Sequence, residues 1–161
     1  MLALLLTSLM VVAIITNGLL AGLFFVFTVA IGPGFRNVDD STYAQAFRSI
    51  NTAILSGGFL SVFFLAPLTT VTCVVLHLWV GATMTLPVVI AAAVCSMLSF
   101  GITAVRNVPL NRELEEAPIT TEEDCRRARL RYETRWNHSN LARTATSTGA
   151  LTLLAAALSL G

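Results

Sequence analysis

Hydrophobic and polar positions in this chain are segregated into blocks. Four apolar runs, at about residues 2–31, 54–78, 84–105 and 142–160, alternate with polar stretches, and none carries Asp, Glu, Lys or Arg in its interior; Arg143 stands at the edge of the fourth. A helix crossing the ~30 Å hydrocarbon core of a bilayer needs about 20 apolar residues, so each run is long enough to be a membrane span. The polar stretches are helical too. Tyr43, Phe47, Ile50 and Ile54 recur at helical spacing behind Asp39, Asp40 or Ser41 as N-cap, which predicts a short interfacial amphipathic helix after the first span. After Pro118, Thr120 with Glu123 or Thr121 with Asp124 has capping-box spacing, and no stop signal follows before the fourth run. A helix begun there is about 40 residues and ~60 Å long at 1.5 Å per residue, so about half of it projects beyond the membrane.

Prolines and glycines punctuate these blocks. Gly32-Pro33-Gly34 predicts the end of the first helix, Pro67 a kink in the second, and Pro109, which disfavours helical geometry at Val108, the exit of the third. His77 and Trp79 close the second run as an interfacial pair.

Composition changes the picture only by making lipid the solvent: 55% of residues are hydrophobic, 12% are charged and the mean hydropathy is +0.77. The first run has no basic start and no small-residue cleavage site, so it reads as a retained span within a single domain, residues 1–161. The predicted fold is an all-α, antiparallel four-helix membrane bundle with a cytoplasmic extension of its fourth helix. All ten Arg residues lie in or beside the two longer polar stretches and there is no Lys. The Arg bias orients a multi-pass protein of the cell membrane with both polar loops cytoplasmic and both termini outside. All nine acidic residues share those loops and the net charge is +1, which argues against a nucleic-acid partner. Arg without Lys in an Ala- and Val-rich chain points to a high-GC bacterial source.

Reactive groups are few. Cys73, Cys95 and Cys125 fall at different depths and make neither a disulfide framework nor a metal-binding spacing, so no metal site and no cofactor are predicted, although the sequence does not rule a metal out. Asn17, at mid-membrane, is either interhelical glue or the floor of a pocket, and Gly18 and Gly22 beside it serve packing within one chain or between copies in a homo-oligomer. Asn51 approaches the cytoplasmic mouth or caps the next helix. Asn107 and Asn111, four positions apart, turn their amides toward the bundle mouth or cap the third helix. On the fourth helix Trp136, Asn140, Arg143 and Ser147 fall within about 60° at 100° per residue, a polar face flanked by Asn137 and Thr144, with His138 roughly opposite.

The Gly32-Pro-Gly-Phe-Arg36 run, the Asn107-Val-Pro-Leu-Asn111 exit and the Trp136-Asn137…Arg143-Thr144 block resemble the anthrone oxygenase-like integral membrane family. The resemblance implies a four-span bundle and, from fungal members, oxidation of anthrones to anthraquinones in polyketide pathways. It implies a monooxygenase-type oxidoreductase with O2 as co-substrate and a hydrophobic aromatic or phenolic small molecule, in addition to the lipid bilayer, as partner. In such chemistry His138 is the candidate base, Arg143, Asn107 and Asn111 are candidate oxyanion donors, Trp136, Phe24 and Phe27 stack on rings, and Asn137, Asn140, Asn51 and Asn17 line the site. The alternative is a non-catalytic membrane protein that binds a lipid-like ligand or a partner subunit.

Overall fold

The computed structural model describes residues 1–161. It is 89% helical and has no strands. In order, α1 is Leu2–Val26, α2 Gly32–Phe35, α3 Asp40–Ile54, α4 Gly57–Val80, α5 Leu86–Ile102, α6 Val108–Glu116 and α7 Glu122–Leu160; π-helical turns at Phe27–Ile31 and Thr103–Asn107 join α1 to α2 and α5 to α6.

Those π turns correct two expectations. The first helical rod runs to Phe35 and the third to Glu116, through Pro33 and Pro109. In each case the amide just before the proline closes a five-residue step, Gly32 N–H donating to Phe27 O and Val108 N–H to Thr103 O. The proline then sits at the first turn of the following helix, where its missing donor is no loss, and the widened turn keeps its ring clear of the carbonyl four residues back. Gly32 is required as well, because a Cβ there would lie 3.0 Å from Phe27 O and 3.6 Å from Asn137 Oδ1.

Three rods are long and apolar enough to cross a membrane: Leu2–Phe35, Gly57–Val80 and Leu86–Glu116. The apolar half of α7 packs along α1 and α5, α1 along α4, and α4 along α5. That half of α7 is richer in Thr and Ser than the other rods, and it turns Thr144 and Ser147 inward. Large side chains such as Leu4, Leu68, Leu78 and Val94 point outward and are more than half exposed, the surface of a chain solvated by lipid, while Ala13, Cys73, Ala92 and Ala157 pack inside. Small residues at helix contacts let backbones approach where no hydrophobic driving force exists between helices. Gly149 serves this purpose, its Cβ position being 3.4 Å from Cys95 Sγ; Gly22 has open space, so within the chain Gly18 and Gly22 do not form a close-approach pair.

Asn17 is interhelical glue. Its Nδ2 donates to Ala13 O (2.9 Å) and Thr70 Oγ1 (3.0 Å), and its Oδ1 accepts from Ser96 Oγ (2.9 Å), so one buried amide joins α1, α4 and α5. Of the pair that closes the second run, His77 turns into the bundle, 3% exposed with Nδ1 2.7 Å from Cys73 O, and only Trp79 faces outward.

The polar stretches pack on one another. Asp39 caps α3 by accepting from Thr42 N–H, and Thr121 and Asp124 form the capping box of α7. Tyr43, Phe47, Leu110, Leu114, Tyr132 and Trp136 share a buried cluster, with ring centroids 4.8 Å apart for Tyr43–Phe47 and 5.2 Å for Phe47–Trp136. Contacts of this kind contribute about 0.5–1.5 kcal/mol per pair beyond area burial. Arg129 donates to Phe35 O and Val38 O, pairs with Asp40 and Glu133, and lies 4.5 Å over the Tyr43 ring. Arg48 donates to Leu114 O and Ala117 O. Two arginines therefore staple the first polar stretch to the second. Cys125 is buried in the first turn of α7.

Candidate functional site

Where the aromatic cluster meets the apolar bundle, α1, α3, α4, α6 and α7 enclose a cavity of about 410 Å3. Its walls are mostly apolar: Phe24 and Phe27 from α1 and its π turn, Ile50 and Ile54 from α3, Phe59 and Phe63 from α4, Trp136 from α7. Thr103, Asn107, Asn111 and Glu115 form a stripe at four-residue spacing along the third rod, and Asn51, Arg112 and Arg143 complete the polar lining. The second π turn ends at Asn107, so the backbone irregularity that accommodates Pro109 also sets this wall.

Arg143 is the buried charged group on the cavity wall. It is 5% exposed, and no carboxylate lies within ion-pair distance of it. Its guanidinium carbon stands 4.2 Å over Phe24 and 5.3 Å over Trp136. One terminal nitrogen donates to Asn140 Oδ1 at 2.8 Å, and Nε is buried without a partner. Asn140 in turn donates to Phe24 O and Thr28 Oγ1, both at 2.9 Å, which fixes its orientation and hence that of the arginine. Asn107 is 1% exposed and neither its Oδ1 nor its Nδ2 has a partner; Asn51 Nδ2 is likewise unpaired. Asn111 Oδ1 accepts from Tyr132 OH and Trp136 Nε1, both at 3.0 Å, and so holds the indole against the cavity. Burial raises the Tyr132 phenol well above its ordinary value, with Tyr43 adding to the shift, so Tyr132 remains a neutral donor.

Buried polar groups without partners are costly, each about 1–3 kcal/mol and more when charged. Here three of them face one apolar hollow. The arrangement suits a flat ligand carrying an oxygen that can accept from Arg143 and Asn51, with both donor and acceptor capacity for Asn107.

Of the residues singled out from sequence, Asn51, Asn107, Asn111, Phe24, Phe27, Trp136 and Arg143 line this cavity together. Asn140 lies behind Arg143 and orients it, Asn17 is deeper in the bundle, and Asn137 packs beside Gly32. His138 is exposed on the opposite side of α7, beside Arg106 and Arg135, as its angular position requires. Glu115, Thr103 and Arg112 escape the sequence reading because helical spacing is abandoned at Pro109. Continued through it, the 103/107/111/115 repeat is legible.

Residues 41–153 match the model of the family described as anthrone oxygenase. The chain belongs to that family. The match takes in α3 to α7, including Asn107, Asn111, Trp136, Asn137 and Arg143; Phe24, Phe27 and the Gly32–Arg36 run lie outside it. No curated protein and no solved structure matches the chain.

Proposed function

We propose that this family member is a membrane-embedded oxygenase that binds a hydrophobic aromatic ketone or phenol in the cavity and oxidises an activated carbon with O2. Family membership supports the reaction class. The observation that carries the site is the buried Arg143 guanidinium, which has no carboxylate partner and shares the cavity with the unpaired amide of Asn107. An enolate oxygen supplies the missing negative charge and acceptors.

The chemistry follows from that placement. A C–H flanked by aromatic rings and conjugated to a carbonyl loses its proton readily when the resulting enolate oxygen is stabilised by Arg143, Asn107 and Asn51. Glu115 is the carboxylate on the cavity wall and accepts the proton in place of His138. The carbanion adds to O2, forming a C–O bond. The peroxide then takes up a proton, the remaining C–H is lost and the O–O bond breaks, leaving a carbonyl and one molecule of water. One oxygen atom enters the product, and the four electrons that reduce O2 come from the CH2 carbon. Phe24, Phe27 and Trp136 hold the ring plane and exclude water.

The same reading places the three apolar rods and the apolar half of α7 across the membrane as four spans, with the Arg-bearing stretches cytoplasmic and both termini outside. It is supported by the Arg48 and Arg129 staples, which bring both polar stretches to one end.

The test is O2 uptake and product mass with the purified protein in detergent and a model anthrone. Quinone formed above the spontaneous rate by the wild type, and lost in Arg143→Gln, supports the proposal. Tight binding without turnover would replace it with the ligand-binding alternative, and neither binding nor turnover would remove this substrate class.

A further inference from the structure

Two surface hollows outside the cavity meet at the end of α5. One, about 620 Å3, is an almost wholly apolar groove between α4 and α5. The other, about 780 Å3, lies between the third rod and α7 and is lined by Arg106, Glu113, Arg135, His138 and Ser139 above an apolar base. Ile102, Val105 and Arg106 belong to both. The apolar part is a surface of exposed side chains, Val94, Met97, Leu98 and Val105. The polar part begins where the apolar runs of both helices end, at Arg106 on one and just before Ala142 on the other.

We propose that these joined grooves bind an anionic phospholipid, its acyl chains along α4 and α5 and its phosphate between Arg106 and Arg135. The charge pattern selects the occupant. Arg106 is exposed and has no hydrogen bond or ion pair within the chain, Arg135 is held by Glu113 at 3.1 Å through one nitrogen only, and Ser139 Oγ is occupied by Arg135 O. Arg106 and Arg135 against Glu113 leave the groove one net positive charge directly above an apolar channel. A phosphodiester with two acyl chains meets both halves. A zwitterionic lipid fits the channel but carries its own ammonium to the arginines. This site is separate from the oxygenase cavity, with which it shares no residue.

Native mass spectrometry of the full chain released from nanodiscs of equal phosphatidylglycerol and phosphatidylcholine tests the assignment. The wild type should retain phosphatidylglycerol over phosphatidylcholine by about fivefold, the ratio expected for the one positive charge that Glu113 leaves uncancelled in the groove. Arg106→Gln should bring retention close to the bulk ratio and Arg106→Lys should restore most of it, whereas Arg126→Gln, on the exposed start of α7, should leave it unchanged. Wild-type retention at the bulk ratio, full retention in a folded Arg106→Gln, or an equal loss in Arg126→Gln would each overturn the proposal. Because turnover is not the readout, failure here leaves the oxygenase reading untouched.

Discussion

The guanidinium of Arg143 lies 4.2 Å from the centre of the Phe24 ring, with no carboxylate to balance it. A buried cation held by a ring face and one amide oxygen is stable enough to persist, yet its unpaired Nε leaves it poised for an anion. Replacing Arg143 with Gln should therefore abolish turnover of a model anthrone by about 10²–10³-fold, the loss typical of a removed oxyanion donor. Folding should hardly suffer, with Tm within about 4 °C of wild type. Oxygen uptake and thermal unfolding in the same detergent measure both. A large drop in Tm with proportional activity loss would make Arg143 a packing residue.

Two buried asparagines should respond in opposite ways. Asn17 satisfies partners on three helices, so Asn17→Ala should destabilise by roughly 1–3 kcal/mol because Ser96 and Thr70 lose their partner. Asn107 satisfies none, so Asn107→Leu should leave stability unchanged or slightly raised while cutting turnover. Denaturation curves for the pair, set beside turnover, decide the matter.

Glu115 should matter more to turnover than His138. On the proposed chemistry Glu115→Gln removes the proton acceptor and should slow the deprotonation step by about 10²-fold, the usual scale for a positioned base, with a smaller effect in His138→Ala. Substrate carrying deuterium at the reacting carbon should show an enlarged isotope effect in Glu115→Gln. The reverse ranking would return the base to His138.

The start of α7 should fray in acid. Hydrogen bonds from the Thr121 hydroxyl first, then from Arg127 and Thr120, hold the Asp124 carboxyl down at about 2. A carboxylate whose folded value is depressed stabilises the fold above its unfolded value, near 4, and that contribution is lost as pH falls from about 4 toward 2. Protection of amides in residues 121–128 against hydrogen exchange, relative to the unfolded chain at the same pH, should fall over that window, and Asp124→Asn should show the lower protection already at neutral pH. Protection that is flat across the window would mean that the cap contributes nothing.

The sequence alone determined what depends on local pattern: the all-helical class, the apolar rods, the two capped helix starts to within a residue or two, the length of the 39-residue final helix and the shared face of Trp136, Asn140, Arg143 and Ser147, whose inward direction the packing decided. Helical spacing and hydropathy are properties of neighbouring residues, so they are readable without partners. Tertiary structure decided what depends on distant neighbours. Proline signals at Gly32-Pro33 and Val108-Pro109 read as helix ends because a single chain segment gives no hint of a π turn; packing against α7 makes the continued rod the better solution. Asn17 and Asn107 are indistinguishable as lone amides in or beside apolar runs, and only the positions of Thr70 and Ser96 make one a structural joint and leave the other unpaired in a cavity. Glu115 lines the cavity and His138 faces away from it for the same reason: which wall a side chain faces is set by how rods pack, not by the residue's chemistry.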